Sequence, residues 1–279
     1  MKWHYKGGQF DLTERGVIMG ILNVTPDSFS DGGLHENPER AVEVALQLIA
    51  EGAKIIDIGG ESTRPGAAPV PIDEELRRTI PVVEALRAQW DGAISIDTSK
   101  PEVAREAIEV GASIVNDVTG LTDPEMVLTC RDGQVGVVCM HMQGTPLSMQ
   151  DQPCYEDVVA EVRAFFLQRY EALTVAGIPP EYICLDPGIG FGKSLAHNLA
   201  LINGIPRLEV ENRPILMGLS RKSFIGKILE DADPALRDWP TVALTSHTRQ
   251  LGARVHRVHQ VKENTDALRM AEALLSAPA

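Results

Sequence analysis

Polar and charged side chains recur in this chain at one kind of place, just after a short apolar run. Asn23 follows GVIMGIL, Glu61-Ser62-Thr63-Arg64 follows KIIDIGG, and Asp97 follows AISI. Asn116-Asp117 follows SIV, Asp186 follows YICL, and Ser220-Arg221-Lys222-Ser223 comes shortly after ILMG. The run VHRV carries Arg257 and leads to His259, and the run ending at Met140 delivers His141. Two chemistries are present in this set. Arg64, Arg221, Lys222, Arg257 and His259 form a cationic group suited to phosphate or pyrophosphate. Asp97, Asn116 and Asp186 suit a flat heterocycle rich in N–H donors. A carboxylate there can accept two parallel hydrogen bonds from a guanidine-like ring edge. A site that pairs buried polar groups this way rejects analogues lacking the partner. Singly, each residue has a plainer explanation. Asp97 ahead of TSKPEVA could cap the next helix, Asp186-Pro187-Gly188 could be only a turn, and Lys222 could be solvated. Capping does not account for so many exits at once.

The apolar runs predict eight short strands: Val17–Leu22, Lys54–Ile58, Ala93–Ile96, Ser113–Val115, Val135–Met140, Tyr182–Leu185, Ile215–Gly218 and Val255–Val258. Each is almost continuously apolar, as parallel strands covered on both faces are. Helical patterns alternate with them at Pro38–Glu51, Asp73–Gln89, Pro101–Val110, Asp123–Arg131, Tyr155–Ala176, His197–Asn203, Thr241–Leu251 and Glu263–Ser276. Pro38 and Pro101 sit at first-turn positions, and Gly52 and Gly111 follow as stops. MKWHYKGGQFDL alternates about Gly7-Gly8 and predicts a small hairpin covering the bottom of the fold. The expectation is α/β, a (β/α)8 TIM barrel with a short N-terminal β-hairpin, as one domain over 1–279. A doubly wound open sheet is the structural rival, but no glycine turn follows G-x-G-x-x-G. In a barrel, all the polar exits fall on one rim, where active sites are built.

The chain has 279 residues, 44% hydrophobic and 23% charged, with net charge −13. That balance argues against a global nucleic-acid or membrane-surface role and requires a local cationic pocket for any anionic substrate. No apolar run is long enough to span a membrane, and the N-terminus lacks the apolar core of a signal peptide. Cys130, Cys139, Cys154 and Cys184 show no C-x-x-C spacing. They read as reduced thiols of a cytoplasmic protein.

The stretch Asn23–Gly33, NVTPDSFSDGG, has no helical or strand period. As the first loop on the rim it reads as a mobile lid, with Gly32-Gly33 giving freedom; an ordinary surface loop accounts for its polarity but not for Phe29 between two serines. NVTPDSFSDGG, DIGGESTRPGA, ISIDTSKPEVAREAIEVGASIVNDVTG, CLDPGIGFGKS, MGLSRKSFIG and RVHQV occur in this order. Together they resemble the bacterial dihydropteroate synthase family, over nearly the whole chain. The resemblance implies a homodimeric barrel that joins 6-hydroxymethyl-7,8-dihydropterin pyrophosphate to 4-aminobenzoate, releasing pyrophosphate with Mg2+ assisting. It implies competition by sulfonamides. It places the pterin at Asp97, Asn116, Met140, Asp186, Lys222 and Arg257, and pyrophosphate at Asn23, Arg64, Arg257 and His259. The metal falls at Asn23 and Asp31. Thr63, Arg64, Pro65, Phe29, Phe191, Lys222 and Ser223 fall to the aminobenzoate. Asp97, Lys222, Asp31 and Arg257 would carry the chemistry.

Three departures stand out. Gln260 follows His259 where the family usually has Asp, which puts the orientation of His259 in question. Pro240-Thr241 replaces the usual small pair ahead of the last strand. His247 and His256 read as surface or interface residues. The Glu61–Val70 loop shows no extra residues of the resistant kind, so sulfonamide sensitivity is expected. The rivals are a methyltetrahydrofolate corrinoid methyltransferase domain and a non-catalytic pterin-binding paralogue. The first would lack NVTPDSFSDGG and SRKSF, and the second is favoured only by Gln260.

Overall fold

A computed structural model describes residues 1–25, 38–64, 66–145, 149, 153–231 and 233–277. The hairpin forms from β1 (Lys2–Tyr5) and β2 (Gly8–Asp11), paired antiparallel. Eight parallel strands follow: β3 (Val17–Asn23), β4 (Ile55–Gly59), β5 (Ala93–Asp97), β6 (Ile114–Asp117), β7 (Gly136–Met140), β8 (Ile183–Asp186), β9 (Leu216–Met217) and β10 (Val255–Val258). Their order in the sheet is β8-β7-β6-β5-β4-β3-β10-β9. A parallel bridge between Leu185 and Ile215 joins the two ends, helped by Leu185 N–H donating to Pro214 O at 2.9 Å. The sheet is thus a nearly closed barrel.

The helices pack around it: α1 (Pro38–Glu51), α2 (Ile72–Arg87), α3 (Pro101–Val110), α4 (Pro124–Gly133), α5 (Val158–Val175), α6 (Leu195–Asn203), α7 (Ser223–Leu229), α8 (Asp238–Gln250) and α9 (Val261–Ser276). Pro38 and Pro101 open their helices as the sequence predicts; Pro124 also opens α4, while Asp123, the expected first residue, caps it by accepting from Glu125 N–H. Helix α5 starts later than expected because Asp157 caps it, accepting from Val159 and Ala160 N–H. Helix α8 starts at Asp238 and not Thr241, because a 3-10 turn over Pro234–Arg237 runs straight into it. Short α7 lay hidden inside the SRKSFIG motif, with Gly226 in its middle.

Strand alternation sorts the side chains into two compartments. Ile56, Ile58, Ile94, Ile96 and Val115 point out and pack with Val82, Leu86, Val103 and Ala107 of the helices. Val17, Met19, Ile55, Ala93, Ile114, Val138, Cys184, Leu216 and Val255 point in and form a separate apolar plug with Trp3 and Leu12 from the hairpin. Trp3 is fully buried and its indole N–H donates to Tyr182 O at 3.0 Å, so the hairpin closes the N-terminal end of the bore. One or two steps further along the same inward faces stand Asp57, Ser95, Asp97, Asn116, Met140, Asp186 and Arg257. The bore is apolar in its lower half and charged in its upper half.

The outward parity of β10 buries His256 at 1% exposure, with neither ring nitrogen partnered. The surface reading of His256 is therefore corrected, while His247 on α8 is exposed as expected.

Candidate active site

Arg257 organises the upper bore. Its Nε donates to Asp57 Oδ2 at 2.6 Å, and its Nη2 donates to Asp97 Oδ2 at 2.6 Å. Asn116 Nδ2 donates to the same Asp57 oxygen at 3.2 Å. Asp97 does not cap the following helix, whose N-cap is Lys100 with no side-chain capping bond. The capping explanation fails, and the carboxylate is committed to the bore. Asp57 Oδ1 and Asp97 Oδ1 are buried and have no partner. Each is an acceptor awaiting a donor, since buried polar groups are otherwise nearly always paired.

Asp186 closes the opposite side. Its Oδ1 accepts from Gly188 N–H at 2.7 Å, so the turn explanation holds for one oxygen. Gly218 lies beside the other, where an added β-carbon would stand 3.9 Å from Oδ2. Lys222 Nζ lies 4.0 Å from the Phe191 ring centroid, within cation–π range. Gly190 makes room for the lysine: its φ is +84° and a β-carbon there would sit 3.4 Å from Lys222 Cδ. Phe191, Met140, Met149 and Val118 form a small apolar wall. Ser223, the first residue of α7, is exposed beside it.

At the rim, Ser220 Oγ lies 2.9 Å from His259 Nδ1 and accepts the His259 backbone N–H at 3.2 Å. Arg64 is exposed, and Thr63 and Asn23 are half-buried. Phe29, Asp31 and Pro65 lie outside the described residues, as does most of the predicted lid.

Burial sets the electrostatics. It pushes the Asp97 carboxyl up to about 7, opposed by Arg257 and reinforced by Asp57. It raises Asp186 against the pull of the Gly188 N–H and Lys222. It lowers Lys222 to about 8, with Asp186 opposing and Arg257 adding to the fall. Arg257 is the exception: burial works against its charge, but Asp57 and Asp97 more than reverse that. His259 falls to about 3 through burial, then Arg221, Arg257 and Arg64. Three of the cations named in the sequence, Arg221, Arg257 and Arg64, thus act on His259, and an arriving anion would relieve them.

Two buried groups escaped the sequence reading. Asp57 was hidden in the run KIIDIGG, although an acid inside a strand buried on both faces is a signal in itself. Lys193 stands in the glycine-rich exit GIGFGKS, whose composition gives no sign of its burial. Its Nζ contacts His141 Nδ1 at 3.0 Å, His141 O at 3.3 Å and Phe191 O at 2.9 Å. It ties the β7 exit to the loop carrying Phe191. Burial lowers Lys193 to about 7 and His141 to about 3.

Comparison with known proteins gives the same direction. Residues 19–259 match the family model described as pterin binding enzyme. The dihydropteroate synthase of Escherichia coli (strain K12) is 48% identical over 277 residues, 99% of this chain and 98% of that protein. The chain belongs to the dihydropteroate synthase family. It is an enzyme, a transferase of folate biosynthesis. Dihydropteroate synthase of Yersinia pestis, solved as a sulfonamide drug complex, matches with TM-score 0.93 at 44% identity, covering 99% of this chain and 100% of that one. The Xanthomonas albilineans synthase in complex with 7,8-dihydropteroate matches with TM-score 0.90 at 44% identity, covering all of both chains.

Proposed function

We propose that this barrel, as one domain over 1–279, makes 7,8-dihydropteroate by a dissociative substitution at the pterin methylene. The observation that carries this reading is Arg257, held by Asp57 and Asp97 at 2.6 Å each inside the bore. Its cationic face serves the diphosphate side, while Asn116, Asp186 and Lys222 ring the pterin side. The pterin's ring N–H and amino group meet Asp186, and Lys222 meets its oxo and nitrogen acceptors. Met140 backs the ring. Phe191, Ser223, Thr63, Arg64, Pro65 and Phe29 serve 4-aminobenzoate, and Arg64, Arg257, His259 and Asn23 serve pyrophosphate.

The C–O bond to pyrophosphate breaks and its electron pair leaves with the diphosphate oxygen. A cation remains on the methylene, delocalised into the pterin. Asp97, fixed before reaction begins, stabilises that positive charge. The neutral aniline nitrogen forms the new C–N bond and sheds one proton to solvent. No nucleophilic serine or cysteine is needed.

The resemblance implies Mg2+ at Asn23 and Asp31. The donor chemistry fits: Asn23 ends β3 at the rim, and Mg2+ takes few protein oxygens, keeps waters and leans on substrate phosphates. Bound there, the ion would neutralise charge on the departing pyrophosphate.

A homodimer is supported by Ile228, Leu229, Leu236 and Trp239, large apolar side chains exposed around the end of α7 and the start of α8. Trp239 is 74% exposed, and such patches mark interfaces. A cytoplasmic enzyme fits the four free thiols and the absence, among the described residues, of a helix able to cross a membrane. Incubation with both substrates and Mg2+ should give dihydropteroate by mass, and a sulfonamide should compete with aminobenzoate. Product without competition would refute the proposed aminobenzoate pocket.

A further inference from the structure

The chemistry above gives no work to Asp238, the first residue of α8. Its carboxylate meets Arg221 as a fork: Nε donates to Oδ1 at 2.7 Å and Nη2 to Oδ2 at 2.9 Å. The same Oδ2 accepts from Gln260 Nε2 at 3.4 Å. Arg221 is held by its backbone too. Its N–H donates to Thr241 Oγ1 at 3.4 Å, and its carbonyl accepts from Arg237 Nη1 at 3.1 Å. Thr241 Oγ1 donates in turn to Arg237 O at 2.7 Å. Every one of these α8 partners lies in the first turn of the helix or just before it.

Arg221 needs this restraint. Its φ is +58°, a left-handed conformation that crowds the β-carbon against the backbone and is unfavourable for any residue but glycine. Such conformers persist where surrounding contacts over-determine them. The residues on either side face the rim: Ser220 pairs with His259, and Lys222 lies over Phe191.

We propose that Asp238 is a positioning residue for the diphosphate end of the site, fixing Arg221 in the left-handed turn that presents Ser220 to His259 and Lys222 to the pterin pocket. Gln260 fits this arrangement. Its amide donates where a carboxylate would repel, so the acid of this corner comes from α8 and not from residue 260. The proposal rests on the reading that this rim holds diphosphate.

The test uses the full-length protein and inorganic pyrophosphate with excess Mg2+, followed by calorimetry. Asp238→Asn keeps size and removes the charge and half of the fork. Pyrophosphate Kd and the KM for dihydropterin pyrophosphate should each rise about tenfold, the factor expected for losing one charge-assisted hydrogen bond. Arg221→Lys keeps the charge, loses the fork and should behave alike. Asp238→Asn combined with Gln260→Glu moves the carboxylate across the 3.4 Å contact and should recover most of the loss. Affinity within twofold of wild type in both single variants would overturn the proposal. So would a double variant as weak as Asp238→Asn, since that pattern belongs to a merely structural residue. Wild-type protein that binds no pyrophosphate would overturn the reading of the rim itself, a result seen before any variant is made.

Discussion

Asp57→Asn is the sharpest probe of the charged bore. Asp57 Oδ2 accepts from both Arg257 Nε at 2.6 Å and Asn116 Nδ2 at 3.2 Å, whereas an asparagine offers one oxygen and one NH2. If the oxygen stays with Arg257, Asn116 loses its acceptor, and a buried unpaired donor costs about 1–3 kcal/mol. The surviving bond to Arg257 loses its charge assistance, which is worth roughly another 1 kcal/mol. Asp97 still holds Arg257, so the lower end of that range is expected. About 2 kcal/mol corresponds to a fall of roughly 30-fold in kcat/KM. The pH profile adds a second readout. Asp57 is one of the charges that push Asp97 up to about 7. Removing it eases ionisation of Asp97, so the acid limb of kcat/KM should move to lower pH. The assay is steady-state turnover from pH 5 to 9 at saturating aminobenzoate, with urea unfolding as the control for stability. A kcat/KM within threefold of wild type, or an acid limb that stays put or moves up, would refute the shared-arginine reasoning.

Asp97→Asn should lower kcat far more than it weakens pterin binding, because its charge acts on a cation that exists only during reaction. Near-normal turnover would sink that role. Lys100→Met should destabilise the fold by about 3 kcal/mol or more, because it strips the partner from a buried carboxylate. Lys100 Nζ bonds Glu61 and Glu75, and the Glu75 side chain is 1% exposed. Adding Glu75→Gln should restore much of the loss in urea titrations, and a single variant of wild-type stability would contradict it. His141, His256 and His259 each titrate near 3 in the folded chain against an ordinary value near 6.5. The fold favours their neutral forms, so their stabilisation is complete above about pH 6.5 and declines as pH falls toward 3. Each can contribute a slope up to about 1.4 kcal/mol per pH unit. His256→Leu should flatten the loss of stability between pH 6.5 and 5 without changing kcat at pH 8. An unaltered slope in thermal melts would show that His256 is not one of the titrating groups.

Period and punctuation made much of this fold legible. Short, largely apolar runs such as GVIMGIL and KIIDIGG read as strands covered on both sides, and prolines at 38 and 101 mark where chain turns into helix. The exits were legible for the same reason: Asn23, Asp97, Asn116, Asp186 and His259 stand where an apolar run stops, and four of these five are the last or nearly the last residue of a strand. What lay within a run was not. Asp57 and His256 sit one residue from isoleucine or arginine neighbours of opposite facing, and only the closed barrel decides which of them meets the bore. Helix α7 has no side-chain bond at its N-cap and a glycine inside, so local signals do not announce it. Lys193 and Asp238 depend on partners 52 and 17 residues away. No local pattern encodes such contacts. Gln260 departs from the family pattern in the sequence alone, but only Asp238 on another helix gives that departure a structural sense.

If one rim holds both pterin diphosphate and aminobenzoate, it exchanges pyrophosphate for the amine in a single site. Pyrophosphate release, followed continuously with each substrate alone and with both, tests it most directly. Release should require both substrates, rise with Mg2+ and match dihydropteroate mole for mole. Release without aminobenzoate, or binding of the pterin with no release when both are present, would contradict it.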